Sequence, residues 1–224
     1  VLTTIICSAD LLRQHRENKD RFDIDLARML FAAESGAKLV QNLLGFSRKA
    51  TKESIIFSPT RVISDVIEIL SKTHPYASFQ TEIEEELWQT EGDPQLFFQV
   101  ILNLCLNSID ATPEGKPITI TASNIEAEDN KKQLHIAVAD QGKGMSPEVL
   151  EHAFEPFFTT KESGKGTGLG LSMAYGTIHG HGGEINLKSK PGEGTTASIL
   201  LPAIISPQRE VTEVTESKRL QQRD

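Results

Sequence analysis

Three polar side chains, Asn103, Asn107 and Asp110, recur at spacings of four and three inside an otherwise apolar run. On a helix this spacing places them on one face. Amide oxygens four residues apart can ligate one hard cation such as Mg2+, which takes oxygen ligands and usually keeps several waters and substrate phosphates. A solvated helix face, or hydrogen bonds from the helix to a loop, would also explain the stripe.

A carboxylate followed by glycines stands at the end of a predicted strand, in the run Asp140-Gln-Gly142-Lys-Gly144. Glycine lets the backbone turn sharply and approach a ligand closely. A carboxylate at this position can accept a hydrogen bond from an exocyclic amine such as that of adenine. A simple turn is the alternative.

A second glycine-rich run covers residues 164–171 and leads into a predicted helix over 168–179. Free N–H groups at a helix N-terminus, together with the helix dipole, suit a polyphosphate, whereas a flexible hinge is the alternative. The glycines do not fit the spacing of a dinucleotide-binding fingerprint. A P-loop is also excluded, because none of Lys116, Lys143 and Lys165 is followed by Ser or Thr.

The chain of 224 residues has a net charge of -8, which argues against a general surface for nucleic acid or anionic membrane. The acidity belongs to residues 54–202. Cys7 and Cys105 cannot form a disulfide framework or a four-ligand zinc site, which favours a reducing compartment such as the cytoplasm. No apolar run approaches the ~18 residues of a membrane span, so no membrane contact by this chain is expected, and membrane anchoring of a longer protein stays open.

Residues 54–202 mix helix and strand patterns without strict βαβ alternation, which favours an α+β two-layer sandwich. The pair Asp93-Pro94, a cap followed by a first-turn proline, predicts the start of a long helix. The predicted strands are 55–57, 79–83, 87–89, 118–122, 134–139, 184–188 and 195–201, and the predicted helices are 59–72, 93–111 and 168–179. Residues 203–224, polar and of alternating charge, are predicted to be a tail or linker.

Residues 1–53 predict two helices, the second with an apolar repeat at alternating spacings of four and three. The repeat consists of Leu26, Leu30, Ala33, Ala37, Val40 and Leu44. Such a repeat forms an apolar stripe along which helices pack at a shallow angle, and two helices alone cannot cover this stripe. We therefore expect a helical hairpin that forms half of a dimeric four-helix bundle, with a hairpin docked on the next domain of the same chain as the alternative.

Together and in order, the motifs resemble the ATP-binding domain of sensor histidine kinases. Residues 103–111 resemble that family's N box, 140–144 its first glycine box, 154–161 its F box, 164–171 its second glycine box and 191–195 its closing motif. The resemblance covers about residues 54–202. It implies a Bergerat-type α/β sandwich with a mixed sheet, and ATP and Mg2+ as ligands.

The resemblance also implies roles for individual residues. Asn107 would be the Mg2+ ligand, Asp140 would contact adenine, and residues 154–165 would form a mobile lid over the triphosphate. The implied ATP-binding residues are Asn103, Asn107, Asp110, Asp140, Gly142, Gly144, Lys161, Gly166, Thr167, Gly168, Leu169, Gly170 and Thr195.

The proposed lid also makes physical sense from its residue types. Gly164 and Gly166 give hinge freedom at one end. Three aromatic side chains can anchor the other end in apolar surface: Phe154, Phe157 and Phe158. Lys161 and Lys165 can meet phosphate charge, with two solvated lysines as the alternative.

Two positions of the N box bear on the reaction. Related ATPases of the gyrase, heat-shock and mismatch-repair type carry Glu one helical turn before the metal-binding Asn, where this chain has Asn103. An amide has no useful basicity near neutral pH, which favours phosphoryl transfer to a protein group over hydrolysis. Many family members carry a basic residue where this chain has Asp110, which suits a hydrogen bond to a neighbouring site residue instead.

The first residues, Val1-Leu-Thr-Thr-Ile5, resemble the segment just after the phospho-acceptor histidine in the hybrid-kinase subgroup, and residues 43–48 resemble the end of the dimerisation domain. This resemblance puts the acceptor upstream of Val1. It implies transfer of the γ-phosphoryl group from Mg-ATP to a histidine and then to an aspartate of a response regulator receiver domain. The alternative is a nucleotide-binding dimerisation module without phosphotransfer.

Overall fold

The computed structural model describes residues 54–126, 131–162 and 166–205, together with Leu12, Phe22 and Leu26, each of which is helical. Apart from these three, the predicted hairpin of residues 1–53 lies outside the described residues, and so do Gly164, Lys165 and residues 206–224 of the predicted tail. Within the described ranges, no helix has the length and apolar character needed to cross a membrane.

Helices pack on one face of a mixed sheet. In chain order the elements are β1 (Ile55–Phe57), α1 (Pro59–Thr73), β2 (Ser78–Ile83), β3 (Thr90–Gly92), α2 (Pro94–Ala111), β4 (Pro117–Glu126), β5 (Lys132–Asp140), α3 (Pro147–His152), α4 (Gly170–Gly180), β6 (Glu184–Lys190) and β7 (Gly194–Pro202). The sheet has the order β2-β4-β5-β7-β6, in which β2 and β4 are parallel and the other neighbours are antiparallel. β1 and β3 form a separate antiparallel pair. This arrangement confirms the predicted α+β fold class.

The core lies between the sheet and the helices α1, α2 and α4. Alternate residues of the central strands point to this side, and Ile120, Ile136 and Ile199 are each 0% exposed. Ile63 of α1 and Ile101 of α2 are also 0% exposed and belong to the same cluster. Full burial of such a side chain stabilises the fold by about 1.5–3 kcal/mol, so this cluster holds α2 firmly against the sheet.

Helix α2 carries the polar stripe identified in the sequence. Its start is fixed by Asp93, whose side chain accepts a hydrogen bond of 2.8 Å from the Gln95 N–H, and by Pro94 in the first turn. Cys105 is fully buried, and burial raises the pKa of its thiol to about 12. The thiol therefore stays neutral and serves as a core residue, while the stripe lies on the other side of the helix.

The side chain of His181 ties the start of α2 to the end of α4. Its Nδ1 lies 2.7 Å from the Thr177 carbonyl oxygen, and its Nε2 accepts a hydrogen bond of 3.1 Å from the Asp93 N–H. Because a carbonyl can only accept, Nδ1 carries the proton. His181 thus fixes the two helices that border the site in relation to each other.

The prediction of a strand at 87–89 is wrong. Gln89 instead forms an isolated bridge with Ile204, with N–O distances of 3.2 and 2.7 Å, and the strand begins one residue later as β3. Pairing with a segment more than a hundred residues away leaves no trace in the local sequence pattern. The strand was therefore predicted too early in the chain.

One helix was not predicted from the sequence, and another begins two residues later than predicted. The short helix α3 was not predicted, although Ser146 caps it by accepting a hydrogen bond from Val149 and Pro147 occupies its first turn. α4 begins at Gly170 rather than at 168, because Gly168 has a φ of +64° and cannot continue a right-handed helix.

Candidate nucleotide-binding site

A cavity of about 370 Å³ opens between α2, the end of β5, α3 and residues 158–161. The cavity is lined by Leu104, Asn107, Ser108, Asp110, Ala111, Val138, Asp140, Lys143, Gly144, Met145, Val149, Ala153, Phe158, Thr159, Thr160, Lys161, Leu171, Leu187, Thr195 and Ala197. A mainly apolar lining with a few converging polar groups is typical of a small-molecule site of this volume.

Asp140 is held at the floor of this cavity and is 9% exposed. Its Oδ1 accepts hydrogen bonds from the backbone N–H groups of Gly142 at 2.8 Å and Thr195 at 3.1 Å. Its Oδ2 accepts a longer hydrogen bond of 3.3 Å from the Ser108 hydroxyl. An ionised carboxylate oxygen can accept more than one hydrogen bond, so Oδ2 keeps room for a donor from a ligand.

Close backbone contacts at two glycines bring Asp140 into this position. A Cβ on Gly142 would lie 2.5 Å from the Ala111 carbonyl oxygen at the end of α2. Gly194 has a φ of +86°, and a Cβ there would lie 2.0 Å from the Asp140 carbonyl oxygen. Only glycine fits at either position, so these contacts join α2, the turn after β5 and the start of β7 around the carboxylate.

The members of the polar stripe take different positions. Asn107 lines the cavity, and no hydrogen bond joins its side chain to another residue within the described ranges. Asn103 lies outside the lining and points toward the first turn of α4, with its Nδ2 3.5 Å from the Gly170 carbonyl oxygen. Asp110 is exposed at the mouth of the cavity. Asn107 is therefore the stripe residue best placed to meet a ligand or cation.

Lys161 forms an ion pair with Asp110 across the cavity mouth, with 2.5 Å between Nζ and Oδ2. Both groups remain partly exposed, at 36% and 56%, so the pair contributes little to stability. Its importance is positional, because it fixes a cation where a bound anion would compete with Asp110 for the same ammonium group.

Phe157, in the predicted lid, contacts Gly168, and we call this contact the neck of the lid. The Phe157 N–H donates a hydrogen bond of 2.9 Å to the Gly168 carbonyl oxygen, and a Cβ on Gly168 would lie 2.3 Å from the Phe157 carbonyl carbon. Phe157 has a φ of 69°, which is rare for a bulky residue. Phe157, within the predicted lid, and Gly168, just after it, therefore meet at a contact that only glycine permits at position 168.

The three lid phenylalanines do not act alike. Phe154 packs against Tyr175 with 5.1 Å between ring centroids, and Phe158 lines the cavity. The predicted apolar anchoring of Phe157 is wrong, because this residue is 62% exposed. Its left-handed backbone, fixed by the neck hydrogen bond, directs the side chain away from the core.

Of the described residues of the second glycine box, Leu171 lines the cavity and residues 166–170 lie beside it. A Cβ on Gly166 would lie 2.5 Å from Thr159 Oγ1, and the Thr167 hydroxyl accepts a hydrogen bond of 3.4 Å from the Leu169 N–H. Leu169 is 2% exposed and buried in the protein interior, and Gly170 opens α4. The described residues of this box therefore shape the neck and the helix start.

Sequence reasoning missed the wall of the cavity contributed by α3 and its flanks. Met145, Val149 and Ala153 line this wall, beside the predicted glycine turn. The pair Ser146-Pro147, a cap followed by a first-turn proline, was the signal that could have identified the helix.

Comparison with known proteins identifies the type of site. Residues 92–205 match the family described as histidine kinase-, DNA gyrase B- and HSP90-like ATPase. The chain belongs to this family. Its mixed sheet and single helical layer are those of the Bergerat fold, as the sequence predicted, and its relatives are sensor histidine kinases.

Two curated relatives match nearly the whole chain. The sensor kinase CckA of Brucella abortus (strain 2308) is 41% identical over 221 residues, which cover 93% of this chain and 23% of the relative. The histidine-protein kinase AtoS of Escherichia coli (strain K12) is 31% identical and covers 92% of this chain and 33% of the relative. The chain thus spans only a quarter to a third of these sensor kinases.

Solved structures show the same fold. The catalytic domain of histidine kinase ThkA is 30% identical, with a TM-score of 0.59 over 68% of this chain and 97% of that domain. ThkA in complex with response regulator protein TrrA is 23% identical over 90% of this chain, with a TM-score of 0.68. The family match, the relative CckA and the ThkA catalytic domain together identify the described domain as a histidine kinase catalytic core.

We expect Gly168→Ala to weaken ATP binding by this histidine kinase core by about tenfold, because a left-handed alanine costs roughly 1–2 kcal/mol before the overlap with Phe157 is counted. Gly176→Ala is the matched control, since that glycine lies within α4 and a Cβ there meets nothing within 4 Å. Fluorescence competition with labelled nucleotide measures both variants. Equal affinities for the two variants would contradict the role given to the neck.

A histidine beside the lid makes the stability of the histidine kinase core depend on pH. A hydrogen bond of 2.8 Å to Glu155 raises the pKa of His152, with the charges of Glu155, Glu151 and Glu148 adding to the effect. Because the folded pKa is raised, the stabilisation is fully present below the unfolded pKa of about 6.5 and is lost as pH rises through the folded value.

Thermal unfolding of the unaltered chain and of Glu155→Gln tests this pH dependence. We expect the unaltered chain to have the higher Tm at about pH 5.5, and the difference in Tm to shrink as pH rises through the folded pKa of His152. A Tm difference that grows with pH would show that the ion pair is not its source.

Proposed function

We propose that this chain is the catalytic core of a sensor histidine kinase, which binds Mg-ATP in the cavity and transfers the γ-phosphoryl group to a histidine. The observation that carries the proposal is the juxtaposition of Asp140 and Asn107 in one cavity. Asp140 offers a carboxylate acceptor to the exocyclic amine of adenine, while Asn107 and Lys161 lie toward the mouth, where the phosphates would extend.

The donor set of the cavity fits Mg2+. The Asn107 amide oxygen is uncommitted within the described residues, and one protein oxygen supplemented by waters and phosphate oxygens is the usual arrangement for this ion. When bound, Mg2+ would neutralise phosphate charge. Lys161 would add a second positive charge once the phosphates displace Asp110 from it.

The carboxylates of the cavity favour transfer of the phosphoryl group to a protein side chain over hydrolysis of ATP. Asp140 is committed to three hydrogen bonds at the base end, away from the proposed position of the phosphates. Asn103 stands where the related ATPases carry Glu, and it lies outside the lining. No described carboxylate lining the cavity therefore stands where those ATPases carry their water-activating Glu, so an external acceptor is favoured.

We further propose three domains: a dimerisation domain over residues 1–53, the ATP-binding domain over 54–202, and a polar tail or linker over 203–224. The acceptor histidine would lie upstream of Val1, as the resemblance of the first five residues suggests. A response regulator receiver domain is the proposed partner, the class named for the ThkA complex, and the cytoplasm is the proposed compartment.

Labelling with γ-³²P-ATP tests the proposal in a protein that carries the chain together with its natural upstream segment. We expect a label that is labile in acid and stable in base, as a phosphohistidine is, and we expect Asn107→Ala in the same protein to abolish it. The 224-residue chain should bind ATP without labelling itself. Tight ATP binding without label on the longer protein would favour the silent binding module.

A further inference from the structure

Ser189, near the end of β6, lies just behind the base end of the cavity and makes three hydrogen bonds. Its hydroxyl oxygen accepts from the Met145 N–H at 2.8 Å and lies 2.8 Å from the Gly194 carbonyl oxygen. It also lies 2.9 Å from the hydroxyl oxygen of Thr195, which lines the cavity. Ser189 itself is not part of the lining.

The chemistry of these partners fixes the direction of each hydrogen bond. The Gly194 carbonyl can only accept, so the single hydroxyl hydrogen of Ser189 goes to it. In the contact between the two hydroxyls Thr195 must therefore be the donor. The Thr195 hydroxyl hydrogen is thus directed at Ser189, and the oxygen of Thr195 offers lone pairs to the cavity.

The polar groups that would face the base of a bound nucleotide are then hydrogen-bond acceptors. Asp140 contributes a carboxylate whose Oδ1 is already filled by two backbone N–H groups, and Thr195 adds a hydroxyl oxygen whose hydrogen is committed elsewhere. An exocyclic amine matches such a surface, whereas a keto oxygen at the same position would face acceptors without a hydrogen to share.

We infer that Ser189 is a positioning residue for base selection: it orients the Thr195 hydroxyl so that the subsite accepts a purine with an amine at position 6 and rejects one with a keto oxygen. This inference rests on the proposed nucleotide binding. Ser189 also connects the Met145 N–H to the start of β7. The test must therefore distinguish base selection from a purely structural role. A structural role would weaken all nucleotides alike.

Calorimetric titration with Mg-ATP and Mg-ITP separates the two roles, since ITP carries a keto oxygen in place of the amine. We expect Ser189→Ala to lower the ratio of ATP affinity to ITP affinity by about three- to tenfold, the size of one hydrogen bond. Ser189→Thr keeps the hydroxyl on a residue suited to a strand, so it should preserve the ratio within about twofold.

The double variant completes the test. In a Thr195→Val background there is no hydroxyl to orient, so adding Ser189→Ala should leave the ATP:ITP ratio unchanged. An equal loss of both nucleotides in Ser189→Ala, or a ratio that still changes in the valine background, would overturn the inference while leaving nucleotide binding intact. Failure of the unaltered chain to bind either nucleotide would overturn the proposed function and this inference with it.

Discussion

Asp140→Asn is expected to weaken ATP binding roughly 30- to 150-fold, the equivalent of about 2–3 kcal/mol for a hydrogen bond to a charged acceptor. The asparagine oxygen can still accept from the Gly142 and Thr195 N–H groups, which preserves the turn. Its amide nitrogen then takes the position of Oδ2 and opposes the amine of adenine with a second donor. The loss therefore falls on recognition rather than on folding.

Calorimetry against Mg-ATP measures the effect of Asp140→Asn, with thermal unfolding as the check that the fold persists. Asp65→Asn is the matched control, because Asp65 is an exposed residue on α1. We expect the control to bind like the unaltered chain. Retention of affinity within about twofold in Asp140→Asn would remove Asp140 from the base site.

Asn107→Ala is the second substitution with a large expected effect, because it removes an amide that lines the cavity without a hydrogen bond to another described residue. Loss of a metal ligand should lower the affinity for Mg-ATP by at least about tenfold, the lower end of what even outer partners of metal ligands contribute. The variant should bind ATP with the same affinity with Mg2+ as with EDTA.

Paired calorimetric titrations in Mg2+ and in EDTA measure this difference. Asn186→Ala, a change of the same type at an exposed position of β6, should keep the full Mg2+ effect. If Asn107→Ala retains Mg-ATP affinity within about twofold, Asn107 is not the metal ligand.

The features that the sequence predicted correctly are those that local chemistry determines. The cap at Asp93 and the apolar face that ends in the buried Cys105 and Ser108 define α2 from neighbours a few residues away. The carboxylate of Asp140 was found because a strand and two glycines surround it in the chain. Local patterns therefore singled out two residues, Asn107 and Asp140, that the fold brings into one cavity.

The features that could not be predicted from the sequence depend on contacts between distant segments of the chain. Lys161 and Asp110 are 51 positions apart, and nothing near either residue indicates their pairing. The exposure of Phe157 follows from its hydrogen bond to Gly168 across the neck. Ser189 acquires its three partners only when two turns meet, so its role is visible only in the folded chain.

The most direct test of the account is an NMR titration of the ¹⁵N-labelled chain with Mg2+ and a non-hydrolysable ATP analogue. We expect the backbone amides of Gly142 and Thr195, which donate to Asp140, and the side-chain amide of Asn107 to shift together and saturate at one nucleotide per chain. A folded chain whose signals at these three groups stay unchanged while millimolar analogue is added would contradict the assignment of this cavity as the nucleotide site.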